Sequence, residues 1–384
     1  MTIQFTPPIV QAIHPDFLRP PKHSLRLGFL TSHNPYDRRP FSGTAFFAAR
    51  ALLAQPDIDL RILGPHREPG KFDRLKKRFL RRPDPVPDPD QIDVSGLDAV
   101  VGLVATDLIY GLQRRCDIPV LHVTDATPGF LREAYGWDVP MEADITEAQV
   151  AKQAAATVYS SDYMAARARQ ELGTDIAAHV VPFGINFENL PEIYPAKSWC
   201  GPLELLFVCS DWDRKGGPHV LATLDALRAL GIDARLTVAG RVPDHLHNHP
   251  AMTFAGFLNK NCPDQAARLK ALYRNAHLML LPSRGDCTPM VVAEAMAHGT
   301  PVIARDTGGM ATLIAPGTGT IMGASEGTNG WVRAVQRLTE DPVAYAQVSQ
   351  QAFAHAKSTL TWNSWASGIK EICRQASVQQ KPAA

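Results

Sequence analysis

The 384-residue sequence predicts a doubly wound α/β fold in two domains that face a cleft, and three features carry that expectation. Short apolar runs alternate with helix-period segments along nearly the whole chain, the pattern of parallel strands wrapped by helices. Several runs are apolar at successive positions, such as LELLFVC at 203–209, which suits strands buried on both faces. The chain is also longer than one core usually supports. Its best linker, NFENLPEIYPAKSWCGP at 186–202, is rich in proline and has no period. The expected division is a first domain over 1–190, a second over 191–360, and a closing segment with its tail over 361–384.

The expected strands are 25–30, 60–63, 99–104, 119–124, 157–160, 180–183, 203–209, 235–239, 253–255, 277–281 and 301–304, with helices between most of them. The first strand runs into HNPYDRRPFSGT and then a helix, AFFAARALLA. Ser42 is placed to cap that helix, and Gly43 would let backbone approach a ligand closely. The strand in IPVLHVTDAT carries His122 in its interior and Asp125 at its end, beside Thr124 and Thr127. Further on, a serine-rich helix start (SSDYMAARARQELG) precedes the turn PFGIN.

Two segments of the second half carry the chemistry. After LELLFVC comes SDWDRKGGPHVLATLDALRALG, where Gly217 and Pro218 open a helix and Gly231 closes it. Arg214 and Lys215 stand just before the opening, so two cations meet a helix N-terminus, a diphosphate-binding arrangement. The other segment is LPSRGDCTPMVVAEAMAHGTPVIARDTGG, residues 281–309. Thr288 stands where an N-cap belongs, Pro289 at the first helical position and Gly299 at the left-handed C-cap. Asp286 and Glu294 are separated by seven residues, one near the helix mouth and one inside an otherwise apolar helix. A ligand with hydroxyls at both ends and phosphate between them, such as a sugar nucleotide, suits that spacing. A buried carboxylate at 294 also demands a partner.

Together these segments resemble the donor-site signature of retaining GT-B glycosyltransferases, in particular glycosyltransferase family 4. The resemblance rests on the acid, seven residues, Glu pattern, the EAMAHGTPV run, the GG turn and the W-x-R-K-G-G element. It implies a GT-B architecture and sugar transfer from a nucleotide diphosphate sugar, with a UDP or GDP base, to a hydroxyl acceptor with retained configuration. In the family, Arg214 and Lys215 would hold the diphosphate and Asp286 the sugar hydroxyls. Glu294 would accept from the ribose hydroxyls. The N–H groups of Cys287, Thr288 and Met290 would add to the phosphate cradle, whereas Pro289 supplies none. Gly240, Arg241, Phe257 and Leu258 would lie beside the base, and Gly43 would face the phosphates across the cleft. Members often place a histidine at the end of the fourth strand, near the sugar. Their register favours Asp125 there over His122, which lies three residues earlier inside the strand; the residues alone leave open which of the two meets the sugar, the other reading of His122 being a packed core residue. The segment 362–374 resembles the helix that crosses back to the first domain. Two positions depart from the pattern: Asp286 where Glu is usual, and Thr312 where an acid often follows the GG turn. An epimerase on the same fold, or a non-catalytic protein that binds sugar nucleotides, are the other classes compatible with these residues.

Composition narrows the field. A net charge of +1 gives no field suited to nucleic acid. Six scattered cysteines without a C-x-x-C read as a reduced, cytoplasmic set. The N-terminal residues lack the basic and apolar regions of a signal peptide, and no apolar run approaches the ~20 residues of a membrane span. The family pattern needs no metal and no cofactor beyond the donor. Two weak metal motifs are present, Asp88-Pro89-Asp90 in a proline-rich loop and His245, His247, His249 in HLHNH. The segment KFDRLKKRFLRR, residues 71–82, carries seven cations with Phe72, Leu75 and Phe79 at helical spacing. It suits a solvated helix, or peripheral contact with an anionic membrane or an acidic acceptor.

Overall fold

The computed structural model describes residues 24–64, 87–197, 199 and 201–379. The basic segment 71–82 and Cys200 lie outside them.

Each half of the chain builds one parallel sheet. The first contains β1 (Leu25–Thr31), β2 (Ile58–Ile62), β3 (Ala99–Leu103), β4 (Val120–Thr124), β5 (Ala156–Tyr159) and β6 (Ala178–Val180), in the order β2-β1-β3-β4-β5-β6. The second contains β7 (Leu203–Cys209), β8 (Ala234–Gly240), β9 (Met252–Gly256), β10 (Leu278–Leu281), β11 (Val302–Arg305) and β12 (Gly319–Met322), in the order β12-β11-β10-β7-β8-β9. In both sheets the order reverses beside the first strand of the half. Loops at the carboxyl ends of neighbouring strands diverge there and leave a crevice. Strand β12 has no counterpart among the expected strands. Its GTIM sequence sits at a sheet edge with three of four residues only half-buried, so its apolar signal is weak. Strand β6 begins and ends earlier than expected.

Helices connect the strands: α1 (Thr44–Leu53), α2 (Thr106–Gln113), α3 (Pro128–Tyr135), α4 (Glu142–Gln153) and α5 (Asp162–Leu172) in the first half. The second half has α6 (Gly217–Ala229), α7 (Pro263–Asn275), α8 (Met290–Met296), α9 (Met310–Leu313), α10 (Thr328–Thr339) and α11 (Pro342–Ser358), and α12 (Trp362–Gln379) ends the fold. Helix α12 returns to the first domain. Its Trp362, Trp365, Ile369 and Cys373 share one apolar cluster with Leu27, Phe29, Phe47 and Leu52.

Helix α1 starts differently from expectation. Ser42 makes no capping bond; Phe41 and Ser42 both adopt left-handed backbone, at φ 50° and 56°. The N-cap is Gly43, at φ 90°, where a Cβ would lie 3.0 Å from the Arg38 carbonyl oxygen. A non-glycine residue is disfavoured there on both counts. The strained turn is held from across the chain. Asn186 Nδ2 donates to the Ser42 carbonyl and to Thr44 Oγ1, each at 3.1 Å, and Trp362 Nε1 donates to Asn186 Oδ1 at 3.0 Å.

Candidate functional site

The loops after β7 and β10 meet at one buried ion pair. Lys215 Nζ donates to both carboxylate oxygens of Asp286, at 2.6 and 2.7 Å. Lys215 is 8% exposed and Asp286 3%, so the pair sits in a low-dielectric site where each charge depends on the other. Arg214 approaches from the same loop. Its Nη1 donates to the Gly285 carbonyl at 2.6 Å and lies 3.5 Å from Asp286, while the guanidinium stacks 4.2 Å over the Tyr135 ring. Tyr135 ends α3, so the first domain supplies this wall.

Just beyond Asp286, the two domains touch through polar groups. The Cys287 N–H donates to the Tyr135 hydroxyl at 3.2 Å. The Thr288 hydroxyl is 2.5 Å from that of Ser160. Thr288 therefore does not cap α8. The N-cap is Pro289 without a side-chain bond, and α8 begins at Met290. The side chain expected to cap the helix is turned to the other domain. Gly308 explains the approach of the GG turn: at φ 53° it passes so close that a Cβ would lie 1.7 Å from the Asp286 carbonyl oxygen. Thr312, at the position where an acid is common, exchanges 3.1 Å hydrogen bonds with the N–H and carboxylate of Asp162. A carboxylate there would repel Asp162.

Asp125 lies beyond the end of β4. Burial pushes its carboxyl up to about 7; its own backbone N–H opposes the rise and the Asp286 charge adds to it. His122 is fully buried within β4, and its Nε2 is 2.7 Å from Glu147, which also accepts from Thr106 Oγ1 at 2.8 Å. Burial disfavours the Glu147 carboxylate, but His122 and Thr106 outweigh it and hold the carboxyl below its usual range. His122 is thus committed to a core pair. Cys287 is kept a protonated thiol, pushed up first by burial and then by Asp125.

Glu294 has the partners its burial demands. It is 0% exposed, accepts from the Tyr273 hydroxyl at 2.9 Å and pairs with Lys260. Lys260 in turn lies 4.8 Å over the Phe187 ring. Neither Tyr273 nor Lys260 was singled out from the sequence; the cost of burying a carboxylate signals that a partner exists without saying which. A cavity of about 220 Å³ opens beside Lys260, lined also by Ser42, Arg38, Asn186 and Lys270. It joins the strained turn before Gly43 to the Glu294 corner. Arg241 and Phe257 are exposed and Leu258 half-buried, flanking the end of β8 at Gly240.

The weaker motifs have local roles. Asp88 accepts from the Asp90 N–H at 3.0 Å, and His249 pairs with Asp225 at 3.1 Å. Among the described residues no group of three His, Cys, Asp or Glu could hold a metal ion, and no helix is long and apolar enough to cross a membrane. The five described cysteines are free.

Two doubly wound domains bridged by a returning helix define the GT-B architecture. Residues 202–341 match the family model described as Glycosyl transferases group 1, and this second domain belongs to that family. The chain is 31% identical over 275 residues to a D-inositol 3-phosphate glycosyltransferase of Rhodococcus erythropolis, covering 67% of this chain and 54% of that protein. A namesake from Rhodococcus opacus is 32% identical over 169 residues, 42% of this chain and 33% of the other. The chain thus spans about half or less of the length of these curated relatives. Among solved structures, a sucrose-phosphate synthase from Thermosynechococcus elongatus superposes with a TM-score of 0.66 at 16% identity, over 93% of this chain and all of the other. Anabaena HepE in complex with UDP and glucose gives 0.61 at 14% identity, over 91% and 100%. At these identities the likeness establishes the fold.

Proposed function

We propose that the protein is a retaining glycosyltransferase that moves a sugar from a nucleotide diphosphate sugar, with UDP or GDP as the nucleotide, to a hydroxyl acceptor in the synthesis of a glycan, polysaccharide or glycoconjugate. The observation that carries this reading is the junction of Lys215, Arg214 and Asp286 beneath the first turn of α8, where both domains meet. Without donor, Asp286 neutralises Lys215. An arriving diphosphate competes for that ammonium, and the exchange frees Asp286 to accept from sugar hydroxyls. As the glycosidic bond breaks, negative charge builds on the diphosphate. Fixed cations in a water-poor site then stabilise the transition state more than the ground state. The Cys287 N–H leaves Tyr135 to join the phosphate cradle. Glu294, held by Tyr273 and Lys260, receives the ribose hydroxyls. Asp125 stands on the opposite wall near the sugar, with a carboxyl that titrates across neutrality.

The names of the Rhodococcus relatives and the UDP and glucose bound by Anabaena HepE support this class of donor and acceptor. The enzyme would work at the cytoplasmic side, with residues 71–82 touching the inner membrane face or an acidic acceptor. A thermal-shift screen of UDP- and GDP-sugars, followed by chromatography of released nucleoside diphosphate, tests the proposal, since a ligand of the native state raises the melting temperature. If no sugar nucleotide shifts melting and none is hydrolysed or transferred, the reading is wrong.

A further inference from the structure

Outside the cleft, a cavity of about 340 Å³ opens in the second domain, within the size range of small-molecule sites, roughly 300–1,000 Å³. Gly216 and His219 line it from the start of α6, Pro282 and Arg284 from beyond β10, and Arg305 from the end of β11. Neither Arg214, Lys215, Asp286 nor Glu294 contributes, and among the described residues none of the first domain does.

Its electrostatics are unbalanced. Two guanidinium groups and an imidazole line one space, and among the described residues no carboxylate lines it. Among the described residues neither Arg284 nor Arg305 has an acidic partner within ion-pair distance. Arg284 donates only to the Asp213 carbonyl, at 2.9 Å, through its side chain. Arg305 Nε and His219 Nε2 are buried without a hydrogen-bond partner. Unpaired buried polar atoms are costly and uncommon in folded proteins. Burial and then the neighbouring Arg284 charge depress the Arg305 pKa, and burial and then Arg305 depress that of His219. The two guanidinium charges repel one another, and an anion held between them would relieve that repulsion.

We propose that this cavity is a second anion site, separate from the cleft, that takes a phosphate dianion through Arg305, Arg284 and His219. Arginine's fork suits phosphate oxygens, and two guanidinium groups match a charge near −2. The cation cluster carries the assignment; the α6 end adds only a favourable dipole. Free phosphate and a phosphomonoester present the same headgroup, so both are used as probes.

Calorimetric titration of the full chain with inorganic phosphate and with glycerol 1-phosphate, at constant ionic strength, tests this. A Lys215→Ala background weakens the cleft cradle. Saturable binding should persist there and fall roughly tenfold or more when Arg305→Gln is added, the scale of a charged hydrogen bond. Stronger binding of the ester identifies a phosphorylated metabolite as the ligand, and binding of phosphate alone identifies the free anion; either supports the site. Arg305 has no ion-pair partner to lose, so its variant should fold, and circular dichroism checks this. Should it not fold, Arg284→Gln at an exposed position gives the same readout. No saturable binding in the wild type, or binding abolished by Lys215→Ala and untouched by both arginine variants, overturns the proposal.

Discussion

Replacing Lys215 with alanine separates the structural and chemical roles of the buried pair. The lysine reaches both oxygens of Asp286, at 2.6 and 2.7 Å, and its loss leaves a carboxylate only 3% exposed. Breaking such a pair from one side costs about 3–5 kcal/mol. Arg214, 3.5 Å away, offsets part of that, so a stability loss of about 2–3 kcal/mol is expected. The double variant Lys215→Ala, Asp286→Ala removes the orphaned charge and should recover most of the stability. Turnover should behave differently. It should fall roughly a hundredfold or more in the single variant, the scale of losing one preorganised charge stabiliser, and should not return in the double variant. Urea denaturation followed by circular dichroism gives the first quantity. Release of nucleoside diphosphate at saturating donor gives the second. A folded Lys215→Ala protein with near wild-type turnover would refute the reasoning, because the diphosphate would then lie elsewhere.

Glu294→Gln should weaken nucleoside diphosphate binding by roughly tenfold or more, since a charge-assisted bond to ribose is lost; unchanged affinity in a folded variant removes Glu294 from the nucleotide site. The Asp125 carboxyl, raised to about 7, makes the native state bind more protons than the unfolded chain between its usual value near 4 and about 7. Stability should therefore fall as pH rises through that window. Asp125→Asn should flatten the fall, measured as urea midpoints at pH 5 and pH 8, and parallel profiles for the two proteins would contradict the assignment. Replacing Lys76, Lys77, Arg81 and Arg82 with glutamine should reduce binding to anionic vesicles at low salt; a wild type that ignores such vesicles leaves residues 71–82 as a solvated segment.

The doubly wound architecture was legible because buried parallel strands read as continuous apolar runs and their helices end in glycine or proline signals. Strand β12 was not, since a four-residue edge strand with three half-buried positions has little apolar content to detect. Both expected N-caps failed for one physical reason. Ser42 and Thr288 satisfy local rules, but each lies where a segment distant in the chain intervenes. Asn186 holds the Ser42 carbonyl, and Ser160 takes the Thr288 hydroxyl. The placement of Arg214, Lys215 and Asp286 together could be read from two motifs that each end at a strand's carboxyl edge. Tyr135, Tyr273 and Lys260 could not, because their contacts span 152, 21 and 34 residues and follow no spacing rule.

The return of α12 sets a timetable for biosynthesis. Trp365, Ile369 and Cys373 are fully buried against strands and a helix made from the first hundred residues. On the ribosome, the first sheet must wait with an uncovered apolar face until α12 emerges, while the second domain, whose core ends at Leu360, can fold ahead of it. The usual order of N-terminal folding first is inverted in its final step. A nonsense truncation before residue 362 would leave that face open for good.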